Sequence, residues 1–440
     1  MARRSWVLPF VLVAAIGQAL AQQNRIDVVT PMAPECAAYG NMPIGVRTIT
    51  AIDRDRVDVL NTKDGAPAAR RDRTLTIEVW YPAARAAGTA SGAEYRTVSR
   101  DPTRPAALHG KAARDAAPDA AAGRYPLVIL SHGYPGNRYL LSHLGENLAS
   151  KGFVVASIDH AESTYDDLKG FASTLYNRPY DQLFVLNEMD RLSGPESGSF
   201  LSGLADASRT AIVGYSMGGY GLLNVLGAGF AEAAVSASAG PPNRLLFGRA
   251  ASNPEYPKRA DPRVKAAIAL APWGLPGGTW DDDALKAITT PVLFVAGSAD
   301  DVSGYERGTR AMFLATTGAD RYLLTFVNGS HNVAAPIPAP AEAYAFSEGL
   351  KLFPFMHYAD PVWDTVRTNN ILQHFATAFL SLHLKGQREM QAFLDVVPRG
   401  IDGVYSVERD GRQKPEHTYW KGFKPRTAAG LTLERLQPGK

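Results

Sequence analysis

The chain has 440 residues, of which 45% are hydrophobic and 20% are charged, and its formal net charge is +3. A balance this close to neutral gives no electrostatic reason to expect nucleic acid or lipid as a partner. Cys36 is the single cysteine of the sequence, so an intramolecular disulfide is excluded and the fold has to be held by its own core.

Residues 1–21 have the pattern of a secretory signal peptide. Arg3 and Arg4 supply positive charge, residues 6–16 form an apolar run, and residues 19–21 form a small-x-small cleavage site. The apolar run is shorter than the ~20 residues that a helix needs to cross a bilayer. We therefore expect an exported chain, periplasmic or secreted, that begins near Gln22 and makes no stable membrane insertion after cleavage.

Short apolar runs recur along the rest of the chain, with helical stretches between them. The runs are continuous rather than alternating, which is typical of strands buried on both faces of a parallel sheet. The predicted strands are residues 75–81, 126–130, 153–158, 210–213, 264–270, 291–296 and 322–327. Helices are predicted over 139–151 and 180–191, and a closing amphipathic helix around 371–382 ends at Gly386. This alternation predicts a doubly wound, mostly parallel α/β sheet with helices on both faces.

Composition divides the chain further. Residues 22–386 are predicted to form one α/β domain, and residues 83–124, which are rich in Ala, Gly and Arg, are predicted to form a long surface insertion. Residues 235–262 and 334–365 are rich in Ala, Pro, Gly and aromatic residues, so they are candidate cap segments. Residues 387–440 are predicted to be a C-terminal appendage.

A serine stands at the apex of a predicted strand–turn–helix. Residues 214–219 read Gly-Tyr-Ser-Met-Gly-Gly and directly follow the strand 210–213. A turn this tight leaves almost no room for side chains two residues before and two residues after the serine, and glycine occupies both positions. The turn raises the Ser216 hydroxyl above the sheet and leaves the Met217 N–H at a helix N-terminus, where it can bind an oxyanion. This context favours a nucleophilic serine over an ordinary serine in a glycine-rich turn.

A serine hydroxyl needs a base to accept its proton, and that base needs an acid to fix its tautomer. The strand 291–296 is followed by Asp300 and Asp301, and the strand 322–327 is followed by His331. The order serine, acid, histidine is the one expected for this kind of turn. We predict a triad of Ser216, Asp300 and His331, although Asp300 alone could be a helix cap and His331 alone a polar loop residue.

The loop after the strand 126–130 is predicted to complete an oxyanion hole. The backbone N–H of Tyr134 is the predicted second donor beside that of Met217, and Gly133 allows the loop to approach closely. His132 is predicted to orient the loop through hydrogen bonds.

Two further strand ends carry residues with more than one interpretation. Trp273 follows the strand 264–270, where an indole could wall the substrate pocket or could pack under the loop. Asp159, His160 and Glu162 resemble a metal cluster, but hydrogen bonds that brace loops near the site explain their position better. Because no second cluster has ligand spacing, we expect no metal.

Four short stretches carry a resemblance to a known family. They are Glu-Val-Trp-Tyr-Pro at 78–82, Pro-Leu-Val-Ile-Leu-Ser-His-Gly at 126–133, Gly-Phe-Val-Val-Ala at 152–156 and the turn at 214–219. From about residue 45 to 384 the chain resembles the α/β-hydrolase superfamily, and within it the dienelactone hydrolase-like and platelet-activating-factor acetylhydrolase-like group. The resemblance implies an α/β-hydrolase fold with cap-like insertions and a serine esterase without a cofactor. Dienelactone hydrolases proper have cysteine where this chain has Ser216, so the acetylhydrolase-like side fits better.

A second resemblance is to bacterial cutinases and polyester hydrolases. It rests on Gly133-Tyr134, Ser216-Met217, Pro272-Trp273 and the spacing from Gly297 to Asp301. In those enzymes the tyrosine and methionine give the oxyanion N–H groups and the tryptophan flanks the substrate. This resemblance points to Asp301 as the acid, whereas the commoner Gly-x-x-Asp spacing of the superfamily points to Asp300, so the choice stays open.

Together these observations predict an exported serine hydrolase that cleaves carboxylic esters of modest size through an acyl-enzyme on Ser216. Its expected partner is a small-molecule ester. The alternatives are a cutinase-like polyester hydrolase, whose open groove the long insertions would close, and a non-catalytic binding protein on a hydrolase scaffold. The sequence leaves open the acyl and alcohol groups, the oligomeric state and whether residues 83–124 are ordered.

Overall fold

The computed structural model describes residues 24–84, 92–121, 123–256 and 260–440, so the predicted signal peptide lies outside the described residues. The strands are β1 (Asn24–Arg25), β2 (Ile44–Val57), β3 (Arg70–Pro82), β4 (Glu94–Val98), β5 (Pro105–His109), β6 (Ala113–Arg114), β7 (Tyr125–Ser131), β8 (Val154–Asp159), β9 (Ala205–Tyr215), β10 (Val264–Leu270), β11 (Val292–Gly297), β12 (Arg321–Phe326) and β13 (Leu431–Leu436). The α-helices are α1 (Ser142–Ala149), α2 (Phe171–Leu192), α3 (Met217–Val225), α4 (Glu232–Val235), α5 (Asp282–Lys286), α6 (Arg310–Ala315) and α7 (Thr365–Lys385).

One large sheet organises the described residues. Its strand order is β13-β12-β11-β10-β9-β7-β8-β3-β2-β6. The six strands from β12 to β8 run parallel to one another, and antiparallel pairs add β13 at one side and β3 and β2 at the other. The predicted doubly wound, mostly parallel sheet is confirmed, and each of the seven predicted strands overlaps an observed one.

The sheet is buried on both faces, which explains why its central strands read as continuous apolar runs. In β7, Val128 and Leu130 belong to a core shared with α1 and α7, whereas Leu127 and Ile129 belong to a core shared with α2 and α3. All four side chains are fully buried. Because alternate residues of a strand point to opposite faces, both sets have to be apolar when helices cover both faces.

Helix α2 begins nine residues earlier than the predicted helix 180–191 and continues through Pro179. A proline inside a helix has no N–H to donate to the carbonyl four residues earlier, here that of Leu175. The hydroxyl of Tyr220, on α3, donates to the Leu175 carbonyl at 3.0 Å in its place. A tertiary contact therefore satisfies the group that the proline leaves unpaired, and the helix does not end there.

Of the insertion predicted over 83–124, the structure describes residues 83–84, 92–121 and 123–124. The insertion contributes β4 and β5, which pair with each other, and β6, which pairs with β2; β5 also pairs with β1. Tyr95 is fully buried, accepts a hydrogen bond from Trp80 Nε1 at 2.9 Å and donates to the Glu146 carboxylate on α1. The insertion is thus anchored in the core under the sheet.

The segment after Gly386, predicted as an appendage, also joins the main fold. Its strand β13 pairs antiparallel with β12. Trp420 is almost completely buried, packs against Phe375 of α7 and donates from Nε1 to the Val397 carbonyl at 2.7 Å. Among the described residues, no helix is both long enough and apolar enough to cross a bilayer.

Candidate active site

Ser216 lies in the sharp turn between β9 and α3. Its backbone angles are φ 51° and ψ −112°, a conformation that a residue with a side chain seldom adopts. The turn is possible because its flanking positions carry no Cβ: one added at Gly214 would lie 2.4 Å from the Gly218 carbonyl oxygen, and one at Gly218 would lie 2.0 Å from the Ser131 carbonyl oxygen. The sequence pattern therefore has a steric cause, and the strained turn places Ser216 at the carboxyl edge of the sheet.

Asp300 and His331 meet at the same edge, in the loops that follow β11 and β12. His331 Nδ1 lies 3.1 Å and 3.0 Å from the two carboxylate oxygens of Asp300. The Asp300 carboxylate also accepts the backbone N–H groups of Val302 and Ser303, each at 2.9 Å. Asp301 is exposed at the rim of the adjacent cavity, so Asp300 is the carboxylate in contact with the imidazole.

Electrostatics favour a charged Asp300 beside the imidazole. Burial by itself would raise the pKa of this carboxyl, but the hydrogen bond and charge of His331, together with the two backbone N–H groups, outweigh burial and lower the pKa below its ordinary value. An ionised carboxylate on Nδ1 keeps the proton on that nitrogen. Nε2 of His331 is then the nitrogen that can accept a proton.

The two predicted oxyanion donors, Met217 and Tyr134, both lie close to Ser216. Met217 is the first residue of α3, and the N–H groups in the first turn of a helix have no acceptor within that helix. Tyr134 lines the cavity next to Ser216. A Cβ added at Gly133 would lie 3.4 Å from the Ser216 Cβ and 3.1 Å from the Tyr215 ring, so the glycine allows the loop to come close to the serine.

His132 orients this loop as a neutral imidazole. Its Nε2 accepts the backbone N–H of His160 at 3.2 Å, so its proton is on Nδ1, which donates to the Gly133 carbonyl at 2.7 Å. Burial lowers the pKa of His132 well below the ordinary value, and the nearby positive charge of Arg178 lowers it further. The predicted structural role of His132 agrees with these contacts.

A second Ser–His–Asp set lies underneath the first and is fully buried. Ser131 Oγ is 2.8 Å from His160 Nε2, and His160 Nδ1 is 3.0 Å from the Asp181 carboxylate. Gln182 Nε2 donates to Ser131 Oγ and to the Gly218 carbonyl, both at 2.9 Å. Because Ser131 is completely buried, no ester can reach it, and the set instead joins the loop after β7 to the turn at Ser216.

The residues at 159–162 form bracing contacts, as predicted. The Asp159 carboxylate pairs with Arg138, His160 belongs to the buried set above, and Glu162 pairs with Arg71 and Arg73. Within the part of the chain that the structure describes, no three His, Cys, Asp or Glu side chains are grouped so that they could hold a metal ion.

A cavity of about 580 Å³ opens beside Ser216 and His331. One wall comes from the predicted cap segment 334–365, through residues that include Phe355, Met356 and His357. That this segment acts as a cap stays a prediction. The cavity is large enough for a small ester, and its wall combines apolar side chains with the exposed carboxylate of Asp301.

Trp273 is half-buried and belongs to an aromatic cluster behind the site. Its ring packs edge-to-face against Phe171 and Tyr220, with centroids 5.5 Å and 6.1 Å away, and Phe171 in turn packs against Tyr134. Its backbone N–H donates to the Ser216 carbonyl at 3.2 Å. Of the two interpretations from sequence, packing under the loop is the one these contacts favour.

Several residues around the site gave no signal in the sequence. Asp360, in the cap segment, accepts hydrogen bonds from the backbone N–H of Ser330 at 2.6 Å and from its hydroxyl at 2.7 Å, and so fixes the loop that carries His331. Arg178, Asp181 and Gln182 reach the site from α2. Their spacing of three and four residues marks one face of a helix, but nothing in the sequence shows which loop that face meets.

Comparisons with known proteins find sequence similarity to ester hydrolases. A family model described as PET hydrolase-like matches residues 84–240. Cutinase est1 of Thermobifida alba is 27% identical over 208 residues, which are 47% of this chain and 53% of the cutinase. A bis(hydroxyethyl) terephthalate hydrolase of Streptomyces coelicolor is 26% identical over 210 residues, or 48% of this chain and 51% of that enzyme. The chain thus spans about half the length of these curated relatives.

The fold has a solved counterpart. A ferulic acid esterase from Streptomyces cinnamoneus superposes with a TM-score of 0.55 at 23% identity, over 81% of this chain and 94% of the esterase. The sequence likenesses fall on the cutinase and polyester hydrolase side of the two resemblances drawn from the sequence. The chain therefore has an α/β-hydrolase fold, and its sequence is similar to cutinases and to the PET hydrolase-like family model.

Proposed function

We propose that the protein is a serine hydrolase that cleaves carboxylic esters of modest size. The observation that carries the proposal is that His331 Nδ1 contacts both carboxylate oxygens of Asp300. His331 and Ser216 line the same cavity. The names of the related proteins, which are cutinases and an ester hydrolase, support the same reaction class.

In the proposed reaction, the Ser216 hydroxyl attacks the ester carbonyl carbon while His331 Nε2 accepts its proton. The carbonyl oxygen becomes an oxyanion that the backbone N–H groups of Met217 and Tyr134 bind. His331 then gives the proton to the departing alcohol, which leaves an acyl group on Ser216. Water, deprotonated by His331, releases the acid and restores the serine.

His132 and His160, the buried histidines behind the site, stay neutral while the proposed reaction protonates and deprotonates His331. Burial lowers the pKa of His160 to about 3, so its Nδ1 remains the donor to Asp181 and its Nε2 the acceptor for Ser131. The loop that carries Tyr134 therefore keeps its hydrogen bonds across the neutral pH range.

The test uses the mature protein with a Ser216→Ala variant beside it. We expect the wild type to hydrolyse short nitrophenyl esters and to be labelled by a fluorophosphonate, and we expect the variant to do neither. Labelling retained in Ser216→Ala would exclude this serine as the nucleophile. A wild type that reacts with neither reagent would support a non-catalytic binding protein instead.

A polyester hydrolase is the second candidate, and the match to a PET hydrolase-like family model over residues 84–240 favours it. The wall that residues 355–361 add beside Ser216 makes the cavity deeper than an open groove and favours a small ester. Release of soluble acids from a polyester film, compared with turnover of a soluble diester at equal enzyme concentration, separates the two.

We also propose that the protein is exported, because residues 1–21 have a signal-peptide pattern. Expression of the full chain in a bacterial host should give a periplasmic or secreted product whose N-terminus lies near Gln22. A cytoplasmic product that retains Met1 would contradict this part of the proposal.

A further inference from the structure

Arg178, on α2, is a buried arginine beneath the loop that carries Tyr134. Only 1% of its surface is exposed. Its guanidinium donates to the carbonyl of His132 from Nη1 and to the carbonyl of Gly133 from Nη2, the latter at 3.3 Å, and Nη2 also contacts the Ser163 hydroxyl. The ion pairs among the described residues include none to Arg178. The side chain thus directs a buried positive charge at two consecutive backbone carbonyls.

These contacts bear on the oxyanion hole because of peptide geometry. The Gly133 carbonyl and the Tyr134 N–H belong to one planar peptide unit, and that peptide is trans, so the two groups point in opposite directions. A donor that fixes the direction of the Gly133 carbonyl therefore also fixes the direction of the Tyr134 N–H. Two donors hold it here, Arg178 Nη2 and His132 Nδ1.

The positive charge adds a second effect. A hydrogen bond from a charged donor is stronger than one from a neutral donor, and it polarises the peptide group that accepts it. A peptide whose carbonyl accepts from a guanidinium has a more positive N–H hydrogen. The Tyr134 N–H is consequently a better donor to a developing oxyanion than the same group in a loop open to water.

We propose that Arg178 is a positioning residue of the oxyanion hole, which acts through the peptide between Gly133 and Tyr134. The proposal rests on the proposed ester hydrolase function. Arg178 does not touch the substrate: it fixes the direction of the Tyr134 N–H and strengthens it as a donor. Its effect therefore falls on the transition state, where negative charge has formed on the substrate oxygen, more than on the bound ester.

Arg321 provides a matched control. It is also fully buried, and its guanidinium also donates to backbone carbonyls, among them those of Phe313 and Leu314. It begins β12, at the edge of the sheet opposite to the loops that carry Ser216 and His331. A substitution there perturbs a buried arginine–carbonyl contact of the same kind without contact to the oxyanion loop.

The experiment compares Arg178→Lys and Arg178→Gln with Arg321→Lys on two substrates, an aryl ester and the thionoester in which sulfur replaces its carbonyl oxygen. Lysine keeps the charge but lacks the planar fork that reaches both carbonyls, and glutamine offers a single uncharged NH2 group. Sulfur is larger and a weaker hydrogen-bond acceptor than oxygen, so the thionoester gains less from the oxyanion hole. The ratio of kcat for the ester to kcat for the thionoester therefore reports on that hole.

We expect each Arg178 variant to lower kcat for the ester on the order of 10- to 100-fold, since removal of a whole oxyanion donor typically lowers kcat about 10²- to 10³-fold. KM should change by less than about threefold, and the ester-to-thionoester ratio should fall nearly as far as kcat. Arg321→Lys should lower thermal stability and leave the ratio at its wild-type value.

The outcomes distinguish a failure of the proposed Arg178 role from a failure of the proposed hydrolase function. Equal losses on both substrates, or wild-type kcat in a folded Arg178 variant, would overturn the role of Arg178 while the hydrolase function stands. If one Arg178 variant does not fold, the ester-to-thionoester ratio of kcat in the other variant tests the role of Arg178. A wild type that turns over neither substrate would overturn the proposed function itself.

Discussion

The ring of Tyr215 lies against the imidazole of His331, with centroids 5.2 Å apart and planes 35° from parallel. Its hydroxyl donates to Asn332 Oδ1 at 2.9 Å, so one tyrosine contacts both the histidine and the residue that follows it. Tyr215 also directly precedes Ser216. Tyr215, the second residue of the Gly-x-Ser-x-Gly turn, thus connects Ser216 to the loop that carries its proposed base, His331.

Tyr215→Phe keeps the ring against His331 and removes the hydrogen bond to Asn332. We expect the free energy of unfolding to fall by about 1 kcal/mol, as for one hydrogen bond, and kcat to fall less than about 10-fold. Tyr215→Ala opens a cavity beside the imidazole and should lower the free energy of unfolding by about 3–5 kcal/mol. Chemical denaturation and ester turnover on the same samples check both values, and equal effects of the two variants would show that the ring does not support His331.

Asp300 and Asp301 allow a paired test of the acid. Asp300→Asn removes the charge beside His331 Nδ1 and allows the wrong tautomer, so we expect kcat to fall on the order of 10⁴-fold. Asp301→Asn changes an exposed side chain at the rim of the cavity, and kcat should fall less than about 10-fold. Steady-state hydrolysis of one nitrophenyl ester measures both, and the reverse order of effects would assign the acid to Asp301, as the cutinase resemblance suggests.

Much of the fold follows from the sequence because the central strands are covered on both faces. A run such as residues 266–270 has to be apolar at every position, and it lies within the observed β10 (Val264–Leu270), where the exposed Lys265 stands near the start of the strand. The candidate site can also be predicted from the sequence, because polar residues directly after buried parallel strands converge at the carboxyl ends of those strands. This reasoning predicts His331 as the base and leaves Asp300 and Asp301 as candidate acids, of which the Gly-x-x-Asp spacing of the superfamily favours Asp300.

The outer strands escaped prediction for physical reasons. In β2, residues 53–56 (Asp-Arg-Asp-Arg) interrupt the apolar pattern, because the strand is exposed or half-buried from residue 52 onward. The contacts of Arg178 with the loop after β7 join residues 45 and 46 positions apart, so neither periodicity nor a local motif could indicate them. Only the packed structure shows that α2 supports the oxyanion loop.

The two glycines of the turn should not tolerate a methyl group. Gly218→Ala would place a Cβ 2.0 Å from the Ser131 carbonyl oxygen, which is fixed backbone. Either the loop after β7 or α3 then has to shift, and we expect the free energy of unfolding to fall by about 1–3 kcal/mol and the ester hydrolase activity to be largely lost. Gly349→Ala is the control, because no atom lies within 4 Å of the added Cβ. A Gly218→Ala protein with wild-type kcat would contradict the proposed geometry of the oxyanion hole.

His374 predicts how stability responds to acid far from the site. It is completely buried on α7, where its Nδ1 accepts the Cys36 N–H at 3.1 Å, and burial, aided by the charge of Lys151, lowers its pKa to about 3. Between that value and about 6.5, the ordinary pKa of histidine, the unfolded chain binds a proton that the folded chain does not. Stability is therefore lost as the pH falls below about 6.5.

From pH 7 to pH 5 this single histidine should lower the free energy of unfolding by about 2 kcal/mol. His374→Gln retains a polar side chain without a titrating ring, so its unfolding free energy should start lower at pH 7 and decline less towards pH 5. Urea denaturation of both proteins at several pH values measures the difference between the two slopes. Parallel curves would mean that His374 is protonated in the folded protein and that its burial does not keep it neutral.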